Sequence, residues 1–178
     1  GSNNVGLGYD ALRANTTASN NTAVGFRSLS ANTTGTSNVA MGFQALQNNV
    51  SDSDTIGIGV NAGRNATSSF STIIGSQANA VGVMTGDSNT YVGYVSGYQN
   101  TSGANNTGIG KSALTANTTG ANNVALGTEA LYSNTTADNN TAVGKSALYA
   151  NTTGAENTAV GSLAGDALTT GFSNTALG

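Results

Sequence analysis

A glycine returns along this chain every 17 residues, closing the same short phrase eleven times. The series runs Gly8, Gly25, Gly42, Gly59, Gly75, Gly93, Gly110, Gly127, Gly144, Gly161 and Gly178. Every step is 17 except Gly59 to Gly75, which is 16, and Gly75 to Gly93, which is 18. These two are adjacent and cancel, so the phase survives from end to end. A fixed period of this length describes a stack of like coils, each burying its apolar residues against its neighbours, and not a domain built around one cleft. Residues 1–178 therefore read as a single array, with irregular coils at 59–103. The array starts and stops in phase, which reads as a fragment of a longer fibre protein.

The phrase before each glycine alternates. The residue immediately before it is large and apolar (Leu7, Val24, Met41 and so on to Leu177), and two residues earlier stands Val, Ile or Thr. Between them the residue is small in nine of eleven cases, as in Ala23 and Ala142. Alternation with β-branched residues predicts a strand. After the glycine, Leu recurs at the fourth position (Leu12, Leu29, Leu46, Leu114, Leu131, Leu148), followed at two-residue spacing by Ala and then Thr or Val. Period two predicts a second strand there, giving a coil of two strands and two turns. A helix in this segment is the competing reading, but helix-bearing repeats of the leucine-rich kind need at least about 20 residues.

Size suggests the direction in which the strands pack. The large Thr22, Val24 and Leu29, with their equivalents, are expected inside the roll, and the small Ala23 and the Asn21 ladder are expected to face sideways, towards the trimer partners or the neighbouring turn. On that reading Ala142→Arg disrupts assembly and Tyr149→Arg is harmless. Asn occupies the fourth position before most of the glycines, and a second series runs through Asn15, Asn32, Asn49, Asn117, Asn134 and Asn151. Stacked about 4.8 Å apart, such amides can pass hydrogen bonds from coil to coil. No proline interrupts the ladders.

Composition excludes several kinds of chemistry. The chain has no His and no Cys, which removes the commonest general base and every thiolate or disulfide. No catalytic residue, metal site or cofactor is predicted, and the chain is not read as an enzyme. Its five cations are scattered, so no basic stripe exists for nucleic acid. No apolar run reaches the roughly 20 residues of a membrane span. The G-x-G triplets at Gly6, Gly57 and Gly108 are the small position of the repeat, without the lysine or helix of a phosphate loop. Asp52 and Asp54 fall at turn positions and lack a calcium motif. The many Asn-x-Thr triplets match the glycosylation sequon as a by-product of the ladders.

Within 59–103, Gly63, Asn79 and Gly97 replace the Leu, while Ile73 and Tyr91 enlarge the small position. Two readings follow. Tyr91, Tyr94 and Tyr98 are candidate receptor contacts, since aromatic residues carry much of the energy of binding surfaces; or the bulky residues fill space left by the missing Leu. A core of small residues is thin, so self-association is expected.

The phrases N-T-A-V-G (Asn21–Gly25), N-V-A-M-G (Asn38–Gly42) and N-V-A-L-G (Asn123–Gly127), followed by x-x-A-L, resemble the S-V-A-I-G-x-x-A head repeats of YadA-type trimeric autotransporter adhesins. The runs A-L-Y-S-N-T-T (Ala130–Thr136) and A-L-Y-A-N-T-T (Ala147–Thr153) resemble repeats of phage tail-fibre proteins. The resemblance implies a left-handed parallel β-roll, a homotrimer, and an extracellular place on a bacterial surface or a virion fibre. It also implies attachment to a cell-surface receptor, a glycan among the classes. This repeat is longer than that of the adhesins, the extra residues lying in the Asn-Thr-Thr turn. Ice binding is the alternative, because Thr ladders on a β-solenoid can order water.

Overall fold

A computed structural model describes residues 1–178 as one all-β parallel solenoid of about ten coils. Each coil contributes one three-residue strand: β1 (Val5–Leu7), β2 (Thr22–Val24), β3 (Val39–Met41), β4 (Ile56–Ile58), β5 (Thr72–Ile74), β6 (Thr90–Val92), β7 (Thr107–Ile109), β8 (Val124–Leu126), β9 (Thr141–Val143), β10 (Thr158–Val160) and β11 (Thr175–Leu177). They form a single parallel sheet in sequence order. The 16- and 18-residue steps leave the register intact, with Ile56 paired to Thr72 and Thr72 to Thr90, so the turns absorb the slip.

The second strand does not form. The segment after the glycine is a run of turns in which the second and fourth residues have left-handed backbone, as in Arg27 (φ 52°) and Leu29 (φ 50°). Left-handed residues break the two-residue side-chain alternation on which the strand reading rested. Consecutive residues such as Ser28 and Leu29 consequently both point inward and are fully buried. Hydrogen bonding between coils continues regardless: the Leu29 amide donates to the Ala45 carbonyl at 3.0 Å and the Arg27 amide to Tyr9 at 2.8 Å.

The packing direction is the reverse of that expected from size. The central strand residue points in, and Ala23, Ala40, Ala125, Ala142 and Ala159 are wholly buried within the single chain. Asn21 is buried with them, while Thr22 and Val24 lie half-exposed on the outer face; only Leu29 is where size placed it. The cause is the width of the coil. With one short strand backing directly onto the turn, a Cβ at Gly57 would lie 2.6 Å from Leu46 Cγ. Beside a Leu the strand centre holds nothing larger than Ala, as at Ala40 and Ala125, and at Gly57 even a methyl would need Leu46 to shift.

The Asn ladders complete the interior. The Asn106 side-chain oxygen accepts from the Asn123 amide at 2.9 Å, Asn123 does the same for Asn140, and Asn140 for Asn157. Most side-chain nitrogens cross to a turn carbonyl, as Asn123 does to Ala137 at 2.8 Å, whereas that of Asn140 donates back along the ladder to Asn123 Oδ1 at 3.3 Å. The second ladder is amide to amide, from Asn134 to Asn117 (2.8 Å) and from Asn117 to Asn100 (2.9 Å). The periodic glycine is fixed twice over: Gly144 has φ +131°, and a Cβ there would meet the Gly161 carbonyl oxygen at 2.3 Å.

In the irregular coils the interior exchanges one volume for another. Gly97 takes the Leu position, and a Cβ on it would lie 2.5 Å from the Tyr91 ring. Gly63 stands in the same relation to Ile73, at 2.7 Å from Cδ1. Tyr91, Ile73 and Met84 are fully buried, so these residues fill the space that the missing Leu leaves.

Candidate interaction face

Because the strand centre points in, its two flanking residues point out. The outer face of the sheet therefore carries two continuous lanes, one of Thr, Val and Ile and one of larger aliphatics. Leu7, Met41, Ile109, Leu126, Val160 and Leu177 are exposed along the second lane. The residue after each glycine adds a third lane: Tyr9, Phe26, Phe43, Val60, Ser76, Tyr94, Lys111, Thr128, Lys145 and Ser162. An apolar stripe along a whole molecule exceeds the scattered exposed Leu or Val of ordinary surfaces, which makes this face the candidate for interaction.

This face is unequal along its length. At its N-terminal end the rings of Tyr9 and Phe26 stack at 5.5 Å and those of Phe26 and Phe43 at 5.2 Å, close to parallel. The Arg27 guanidinium carbon lies 5.1 Å from the Phe26 ring centroid, with its Nε 3.6 Å from an Asp10 carboxylate that also faces Arg13. Further along, the third lane is polar and carries exposed Lys111 and Lys145. The aromatic trio was legible as an aromatic after three successive glycines, a signal that the alternation before the glycine had overshadowed.

The candidate receptor tyrosines are not brought together. Tyr91 is wholly buried, burial holds its phenol well above the ordinary range, and its hydroxyl reaches Asn89 Oδ1 at 3.4 Å. It presents nothing to a partner. Tyr94 is exposed in the third lane of the outer face. Tyr98 is half-exposed in another column, five residues after the glycine, which also holds the stacked Tyr132 and Tyr149, 5.1 Å apart.

The surface has no pocket, and no three acidic residues converge as a cation site would require. Burial of Asp52 raises its carboxyl above the ordinary range, and the charge of Asp87 adds to this against an opposing backbone hydrogen bond. The sequons divide by burial: the Asn of the Asn-Thr-Thr turns (Asn32, Asn117, Asn134, Asn151) is sealed in the ladder, whereas Asn20, Asn105 and Asn139 are exposed. No helix is long and apolar enough to cross a membrane.

Fold and surface define a class, the parallel β-solenoid repeat proteins. No family model, curated protein or solved structure matches the chain.

Proposed function

We propose that this chain is the structural and adhesive repeat domain of an extracellular fibre, on a bacterial surface or a virion, that associates with itself as a homotrimer and attaches to a cell or host surface. The observation that carries the reading is the outward apolar stripe on a molecule without a pocket. Such a surface suits partners met over length, and the sequence resemblance to adhesin and tail-fibre repeats points the same way. Its coils would form a left-handed roll, as the resemblance implies. Covering the stripe with other copies leaves the turn columns, including that of Tyr98, to meet a receptor. Light scattering tests the first half: a mass of three chains of 17.4 kDa is expected. A well-folded monomer at micromolar concentration overturns it. Retention of coated beads on host cells, absent for beads coated with an unrelated solenoid, is the expected sign of adhesion.

One observation favours the alternative of ice binding. The outward lanes carry Thr and an aliphatic residue on one sheet face, as at Thr22 and Val24 or Thr141 and Val143, rather than the paired Thr of the turns. Thermal hysteresis and shaped ice crystals are what that reading requires, and their absence removes it.

A further inference from the structure

We propose that the stacked rings of Tyr9, Phe26 and Phe43 clasp the same rings of a second copy of this chain, lying in the same direction and register. The inference rests on the self-association proposed above and adds to it the residues and the orientation. The stack itself argues for the occupant. Its rings cover one another's faces, and Arg27 lies over Phe26, so what projects outward is a row of edges. A sugar ring docks on an aromatic face, and here both faces of Phe26 and one face each of Tyr9 and Phe43 are taken by the stack. Aromatic edges pack well against other aromatic side chains, and another copy supplies them.

Area supports the same occupant. Eleven strands about 4.8 Å apart make a face roughly 50 Å long, and the three lanes span about 13 Å. The product, about 650 Å², approaches the roughly 800 Å² per partner of a standard interface. Direction follows from the inequality of the two ends. Parallel, in-register copies bring aromatic edges to aromatic edges. The rings lie in the first three coils, so antiparallel copies would carry them to opposite ends of the stack, with Phe43 facing Lys145 and no ring facing a ring.

Two variants and a cross-link test this. Replacing Tyr9, Phe26 and Phe43 together by Ser should leave the circular dichroism spectrum unchanged and weaken assembly at least tenfold by sedimentation. The control, Tyr132→Ser with Tyr149→Ser, removes an equally stacked pair off this face and should leave assembly unchanged. The chain has no Cys, so a single thiol at Met41→Cys reports one position. A short bismaleimide should join copies through it, because parallel copies hold it at one height. Antiparallel copies would separate it by six strands, roughly 29 Å, whereas Val92→Cys, at the centre, would still cross-link. The clasp is overturned if the triple variant assembles like the wild type, or if the control weakens assembly as much. Cross-linking at Val92→Cys but not at Met41→Cys overturns the orientation. A monomeric wild type removes both this inference and the self-association beneath it; an assembled wild type with an indifferent triple variant removes the clasp alone.

Discussion

Leu114 holds a left-handed backbone, φ 52°, with a side chain that is wholly buried. The backbone costs an L-residue about 1–2 kcal/mol, while burying a Leu side chain returns about 1.5–3 kcal/mol. The side chain wins narrowly, which explains why Gly63, Asn79 and Gly97 can stand in this column. The Leu recurrence was plain in the sequence, but its left-handed backbone was not, because Leu is among the residues least expected there. Leu114→Ala should cost about 2–4 kcal/mol, since it keeps the strain and loses the burial. Leu114→Gly loses both and should cost no more than Ala in urea unfolding. Finding Gly worse than Ala by the usual 0.5–1 kcal/mol or so would contradict the left-handed turn. Asp52 offers a second check at this scale. Its carboxyl is raised in the folded chain, so the stability it contributes is present below the unfolded carboxyl range and lost as pH rises through the folded value. Asp52→Asn should therefore raise the melting temperature at pH 7, and the gain should vanish below about pH 4. A gain independent of pH would mean that the charge of Asp52 is not its source.

A single coil works as one strand set against one turn, and volume is conserved between the two. Where the turn gives Leu, the strand gives Ala or Gly; where Gly97 replaces Leu, Tyr91 supplies the bulk. The exchange was readable in the sequence as one of two meanings for the aromatics, and burial of Tyr91 assigns it to filling. Less readable was the turn segment, since hydrophobic period two is the ordinary mark of a strand and nothing in the residue types shows that left-handed residues interrupt it. Tyr91→Ala alone should cost about 3–5 kcal/mol by leaving a cavity. Gly97→Leu alone should destabilise by collision with the Tyr91 ring. The double variant rebuilds the ordinary coil and should recover most of the loss, a coupling of at least about 2–3 kcal/mol in a double-mutant cycle. Additive losses would show that the two positions do not share one space.

The whole molecule is a stack in which each coil touches only its neighbours, so its interior is repetitive and thin. Buried Asn is as much a part of that interior as buried Leu, and hydrogen bonds passed from coil to coil satisfy most of its polar groups, although Asn49, beside the irregular coils, has neither side-chain atom paired. The period and the single parallel array were legible from glycine spacing alone. Inside and outside were not: size placed the larger residues inward, and the narrow coil turns them outward. That inversion moves the proposed self-association face from the Ala lane to the aliphatic and aromatic lanes, and it changes what Ala142→Arg should do. Ala142 is wholly buried and its neighbour Val143 lies on the half-exposed outer face. Thermal melting followed by circular dichroism of Ala142→Arg and Val143→Arg separates the two arrangements. Ala142→Arg should lose the cooperative β transition or melt far below the wild type, because a buried unpaired charge is not tolerated in so narrow a coil. Val143→Arg should fold and give a β spectrum like the wild type's. A folded Ala142→Arg beside an unfolded Val143→Arg would contradict the account.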